Sequence, residues 1–336
     1  MVIIKNRGLF FRMKRFLLIF LFCISLGEAR KTIIKLATLA PEGTEWHGML
    51  LDMGQEWKKS SKNSVKLRVY PGGVIGDERD MVRKMRIGQI HAAAITTEGL
   101  SEIVPEFSAY FVPMAFQSSD DVNAVTEALL PQLEDKLIDS GFKLLHLGEL
   151  GWAYWFSSRP IKTPHDLKGM KIFTWAGDFK WERLWEKAGY NPVPLASVDI
   201  LSGLQTGLID ALSTMPLYAL SQQSFGLANH MLDMKWGVLM GGIVVDLRAW
   251  NRISKKYHSE LISITKSIQE KQNKINKNAE RESVKAMQEH GLILHRITEN
   301  QKKIWKNEVQ LMSPNLRGEI IPADVYDTVI ELTKDK

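Results

Sequence analysis

Cysteine is all but missing from this chain of 336 residues: the one example, Cys23, lies in an N-terminal segment that reads as a removable leader. The remainder has no thiol, which excludes a disulfide framework, a cysteine nucleophile and a thiolate metal site. The eight histidines are dispersed, and neither HExxH nor GxSxG occurs. Glu45 and His47 form an i, i+2 pair that does not share a helix face. Two carboxylates near the cleft inferred below, Glu98 and Asp178, have no histidine at ligand spacing. No cofactor, metal or catalytic group is expected. After residue 29 no apolar run is long enough to span a bilayer, and repeats and low-complexity tracts are absent.

Surplus charge is scarce too. The chain carries +6, but Lys5, Arg7, Arg12, Lys14 and Arg15 against Glu28 contribute +4 within the first 29 residues. The rest is close to +2, with Lys and Arg interleaved with Asp and Glu, which argues against a nucleic-acid surface. Those basic residues precede an apolar run from Phe16 to Leu26, and Gly27 and Ala29 supply small residues at a cleavage site, the layout of a secretory signal peptide over residues 1–29. At about eleven residues the run is too short for an anchor. Met13 opens the tidier MKRFLLIF and is an alternative start; Phe22 before Cys23 argues against lipid attachment.

What remains alternates apolar runs with amphipathic ones, the pattern of an α/β protein. Strands are expected at Thr32 to Ala37, Val65 to Tyr70 and Ala92 to Thr96, joined by helices at about Thr44 to Ser60 and Asp77 to Ile87. In such βαβ units ligands sit beyond the carboxyl ends of the strands. A strand over Lys143 to Glu149 continues through Gly151 into an extended segment from Trp152 to Ser158, and Val238 to Val245 carries the chain back. Two crossovers make a hinge between two lobes: residues 30–150 with about 239–275, and residues 151–238 with about 276–336. A helix over Glu260 to Glu289, ~45 Å long, would reach along both.

Leu167 to Pro216 reads as one wall of the cleft: a strand, an aromatic helix, a short strand ending at Leu195, a helix from Ser197 and a loop closed by Pro216. Phe173 and Trp175 share a strand face by alternation, and no arginine lies between Lys171 and Trp181. Such a platform suits an apolar ligand. Two or three rings offer roughly 8 kcal/mol of burial before ordering costs. Trp152 and Tyr154 lie on one face of their strand and Trp155 on the other; the sequence does not choose between the faces. Thr214 supplies a hydrogen-bonding hydroxyl and Met215 an adaptable apolar surface, while Pro216 reads either as part of the site or as the first residue of a helix. Trp46 stands where it closes the opposite side or packs with Met49 and Met53. Trp181 and Trp185 are better explained by packing.

Taken in order, YPGGVIGDERDMVRKMRIGQI from Tyr70, SSRPIKTPHDLKGMKI from Ser157, AGYNPVPL from Ala188 and LQTGLIDA from Leu204 resemble the DctP-like periplasmic substrate-binding proteins of tripartite ATP-independent periplasmic (TRAP) transporters. The resemblance implies a two-lobed α/β solute-binding protein with a hinged cleft. Such a protein commonly takes a carboxylate and delivers it to membrane subunits. It further implies an arginine clamp where this chain has Phe173, and a second arginine where it has Ala153. Without those cations the expected ligand is small and largely apolar. The alternative is an organic acid held by another cation, Arg159 being the nearest. GWAYWFS with KIFTWAGD looks like a subgroup linked to apolar ligands and to a tetratricopeptide-type periplasmic partner.

Overall fold

Ten strands in one mixed sheet form the frame of the protein. The structure is a computed structural model describing residues 31–334, except the side chains of residues 269 and 272–277. The expected leader lies outside the described residues. The strands are β1 (Thr32–Thr38), β2 (Val65–Tyr70), β3 (Ala92–Thr96), β4 (Phe142–Ser157), β5 (Lys171–Trp175), β6 (Asn191–Leu195), β7 (Ala211–Thr214), β8 (His230–Leu232), β9 (Gly237–Asp246) and β10 (Ile293–His295). Their order is β2-β1-β3-β9-β4-β7-β5-β6, with β8 pairing with β4 and β10 with β8. β1 runs parallel to β2 and β3, and β5 parallel to β6 and β7. Each lobe thus holds a parallel group whose strand ends can face a ligand.

The helices follow from their caps and faces. Helix α1 (Glu45–Ser60) starts where the Thr44 side chain accepts from the His47 N–H, and it buries Trp46, Leu50, Met53 and Trp57 at the i, i+4, i+7, i+11 spacing of one stripe. Asp77 caps α2 (Glu78–Arg86). Ser118 and Asp121 form a capping box at the start of α3 (Ser119–Asp139). Asp178 caps α4 (Phe179–Lys187), and Pro216 stands at the first position of α5 (Pro216–Ser221), where its missing N–H costs nothing. The long helix α6 (His258–Glu289) packs against β4, α1 and α5. The chain ends with α7 (Glu299–Leu316) and α8 (Ala323–Thr333), and α8 returns to pack on α3.

The crossover is simpler than expected. The two segments anticipated on either side of Gly151 are one continuous strand, β4, paired antiparallel with β9 from Phe142 to Ala153. Register breaks between Leu144 and His146 and between Glu149 and Gly151 mark the bend. At that bend a Cβ on Gly151 would lie 3.3 Å from Met215 Sδ, so the strand passes close against the second lobe. One element differs from expectation: the segment read as a loop before Pro216 contains β7. Four residues, ALST, are too short and too mixed to show alternation, but they pair with β4 at Tyr154 to Ser157 and insert between β4 and β5.

Trp57 joins the first lobe to the long helix. It is fully buried, and its Nε1 donates to the Leu261 carbonyl at 3.1 Å and to Thr265 Oγ1 at 3.2 Å. Trp57→Ala would leave a large void and remove both hydrogen bonds that tie α1 to α6 at this point. Urea unfolding is expected to show a loss of about 3–5 kcal/mol.

Candidate functional site

The interlobe cleft holds about 1260 Å3 of empty space, counting its open mouth. One side is built by the end of β1, by α1 and by the end of β3; the floor by β4 and β9; the other side by β5, β7 and the start of α5. Gly241 and Gly242 on β9 keep the floor open to packing: a Cβ on Gly241 would stand 2.8 Å from the Leu150 side chain, and one on Gly242 3.0 Å from Leu100.

Of the residues singled out from sequence, Phe173, Trp175, Thr214, Met215 and Trp46 line the cleft. Strand alternation places the first two. Ile172 and Thr174 are buried on the inner face of β5, while Phe173 and Trp175 are half-buried on the other. Their ring centroids lie 5.3 Å apart, edge to face.

Trp152, Tyr154, Trp155 and Pro216 do not line it. Both faces of β4 are covered there, because β4 is flanked by β7, β8 and β9 and overlaid by helices. Trp155 is buried among Trp185 (6.0 Å) and Trp236 (5.6 Å), and Trp236 packs on Trp305 (5.6 Å), an indole core for the second lobe. Trp152 lies beneath Lys235, whose Nζ stands 3.8 Å from the ring centroid. The Tyr154 hydroxyl donates to Glu280 Oε1 at 2.9 Å and pins α6 to the crossover. Pro216 is buried as the opening residue of α5.

Glu98 and Asp178, the two carboxylates noted from sequence near the cleft, belong to an acidic end whose other members, Glu78 and Arg79, were not singled out. Glu78 is buried beneath the end of β3 and accepts from the Thr96 N–H, the Thr96 hydroxyl and the Gly99 N–H, each at 2.8 Å. Burial, outweighing those bonds, pushes its carboxyl up to about 7. Glu98 lines the cleft beside it, and burial with the neighbouring Asp178 charge pushes that carboxyl up to about 8. Arg79 is the cation nearest these acids. It donates to Glu98 Oε1 through Nε (3.2 Å) and Nη2 (2.8 Å), pairs with Glu102, and reaches Asp178 of the second lobe at 3.4 Å. A second link crosses the cleft where the Ser197 N–H donates to Asp77 Oδ2 at 2.8 Å. The signal available in the sequence was GDERD after a glycine turn: an N-cap aspartate followed by an acid and a base at a strand-end rim.

No lysine or arginine is among the lining residues. His146 on β4 lines the floor, and burial with the nearby Lys266 charge drives its imidazole down to about 4, so it is neutral at pH 7. Arg159, the candidate substitute cation, donates instead to the Gly169 carbonyl at 2.8 Å and stays outside the cleft. Among the described residues no cluster of His, Cys, Asp and Glu could hold a metal ion.

The family model described as bacterial extracellular solute-binding protein, family 7 (DctP), matches residues 36–316. A solute-binding protein of Roseobacter denitrificans is 27% identical over 188 residues, and this chain spans 55% of its own length and 57% of that relative's. The 2,3-diketo-L-gulonate-binding periplasmic protein of Escherichia coli is 24% identical over 238 residues, covering 70% of this chain and 72% of the relative. A TRAP periplasmic solute-binding protein from Shewanella oneidensis with bound succinate superposes with a TM-score of 0.83 at 18% identity, over 90% of this chain and all of the other. That likeness shows the two-lobed fold.

The raised carboxyls have a consequence for stability. Glu78 and Glu98 start from an ordinary value of 4.5 and ionise near 7 and 8 in the folded protein, which therefore holds protons that the unfolded chain has released. Stability falls as pH rises through those values. The lowered histidines pull the other way, because the unfolded chain still releases their protons around the ordinary value of 6.5, so the carboxyl effect is read above about pH 7.5, where these histidines are neutral in both states. Calorimetry is expected to give a lower melting temperature at about pH 8.5 than at about pH 7.5, and a smaller difference for Glu98→Gln.

Proposed function

Because the chain belongs to the DctP family of bacterial extracellular solute-binding proteins, the substrate-binding components of TRAP transporters and not enzymes, we propose that it captures a small, largely apolar ligand between its lobes and delivers it to TRAP membrane subunits. The observation that carries this reading is the composition of the cleft. Phe173 stands where the resemblance implies a clamping arginine, Trp175 extends the same ring surface, and no lysine or arginine lines the space. A guanidinium fork holds a carboxylate by two charge-assisted bonds, and a phenyl ring offers none. A carboxylate entering here would meet no lining cation and the buried carboxyls of Glu78 and Glu98, a surrounding in which burial already disfavours negative charge.

Affinity comes instead from burying ring surface, on the order of 25 cal/mol per Å2, aided by closure of the lobes. The lobes are residues 30–150 with about 239–275 and residues 151–238 with about 276–336, hinged at β4 and β9. Ligand contact with both lobes at once favours the closed state. The leader over residues 1–29 directs the protein to the periplasm, and the GWAYWFS and KIFTWAGD segments support a tetratricopeptide-type periplasmic partner.

The second reading, an organic acid held by a different cation, draws on the ligands named for the relatives. It requires Arg79 to leave Glu98, Glu102 and Asp178 and turn inward.

The test uses the neutral fluorophore N-phenyl-1-naphthylamine. The wild-type protein is expected to bind it with enhanced emission, and Phe173→Ala and Trp175→Ala to weaken binding by about 5- to 10-fold each, in line with lost ring burial, with unchanged circular dichroism. Unchanged affinity in both variants would remove these rings from the site.

A further inference from the structure

The proposed apolar ligand needs a polar end that this cleft can accept, and three lining side chains, Trp46, His146 and Ser197, carry buried polar atoms with no hydrogen-bond partner among the described residues. Among the described residues Arg79 is the guanidinium that pairs with the acidic end, and it faces three carboxylates, those of Glu98, Glu102 and Asp178. Glu78, buried next to them, has no cation partner among the described residues; its oxygens are held by the Thr96 and Gly99 groups. The site therefore lacks positive charge. Both Arg79 bonds to Glu98 end on Oε1, and no donor among the described residues reaches Oε2.

Ser197 supplies an independent sign that something is meant to bind here. Only 6% exposed, it lines the cleft, and its Oγ has no hydrogen-bond partner among the described residues. Its position is fixed, since its N–H is held by Asp77 Oδ2 at 2.8 Å. Asp77 is followed directly by Glu78, whose carboxylate bonds Thr96 and Gly99 on either side of Glu98. One run of hydrogen bonds thus ties Ser197 and Glu98 to the same end of the cleft. A hydroxyl oxygen and a carboxylate oxygen are both acceptors for N–H donors. Around them the cleft presents the rings of Trp46, Phe111, Phe173, Trp175 and Tyr218. Aromatic faces attract cations, and rings with carboxylates are the usual surroundings of bound ammonium groups.

Resting on the reading of the cleft as an apolar binding site, we propose that its ligand is an amphiphile with a cationic amine head, held by Glu98 Oε2 and Ser197 Oγ and surrounded by aromatic rings. The elevated carboxyls at this end fit a site whose compensating charge arrives with the ligand. An ammonium donates up to three hydrogen bonds and would supply the missing positive charge, which neither an alcohol nor an acid does.

Three probes of one chain length test the head group: octylammonium, 1-octanol and octanoate, titrated into the dialysed protein at pH 8 and followed by calorimetry. Octylammonium is expected to bind at least tenfold tighter than 1-octanol, and octanoate the weakest of the three. Glu98→Gln is expected to shrink the preference for octylammonium over 1-octanol by about tenfold, the loss of one charge-assisted bond. Should that variant fail to fold, Ser197→Ala serves, with an expected threefold to tenfold shrinkage. Octylammonium binding no tighter than 1-octanol, or a preference that neither variant changes, overturns the amine head; if 1-octanol still binds, the apolar reading survives. Octanoate binding tightest overturns both.

Discussion

A single guanidinium held among three carboxylates sets the character of the cleft. Arg79 bonds Glu98 and Glu102 within its own lobe and reaches Asp178 across the gap, so the positive charge at the rim is committed to protein partners. What remains inside is a ring surface, two buried carboxyls and a neutral imidazole. A desolvated ligand carboxylate requires a pairing cation, and without one its burial is unfavourable by several kcal/mol. The same arrangement gives the lobes a direct ionic contact across the mouth, beside the Asp77 to Ser197 bond.

The aromatic residues divide into two populations with different roles. Those of β4 and α4, with Trp236 and Trp305, fill the second lobe, where indole rings 5.6 to 6.1 Å apart replace the aliphatic core of a more ordinary sheet. Phe173 and Trp175 are placed by strand alternation on the opposite side of β5 from its buried residues. The packed lobe supports the wall, and the wall faces the cleft. The continuous strand β4 with β9 joins the lobes, and the bond from Tyr154 to Glu280 fixes the long helix to that crossover.

Much of the frame was legible in the sequence because it rests on local rules. β2 and β3 lie at the expected residues, and α1 and α2 begin one residue after the positions read for them, at caps formed by Thr44 and Asp77. The orientation of Phe173 and Trp175 followed from period-2 alternation. Where residues were chosen by pairing instead of pattern, the reading stopped. β7 is four residues whose strand character comes from β4 and β5 on either side. The faces of Trp152 to Ser157 could not be chosen because neither is exposed. Glu98 and Asp178 could be placed near the cleft, but Glu78 and Arg79 were hidden for a related reason: Glu78 finds its partners at the end of β3, and Arg79 meets Glu98 and Glu102 within its lobe and Asp178 only where the lobes meet.

The most direct test of the central claim, that this cleft selects against carboxylates, is the identity of what the protein carries. Denaturing the purified protein and taking a mass spectrum of the released small molecules is expected to give an amphiphile of low polarity in near-stoichiometric amount. A stoichiometric dicarboxylate or sugar acid among the released molecules would contradict it.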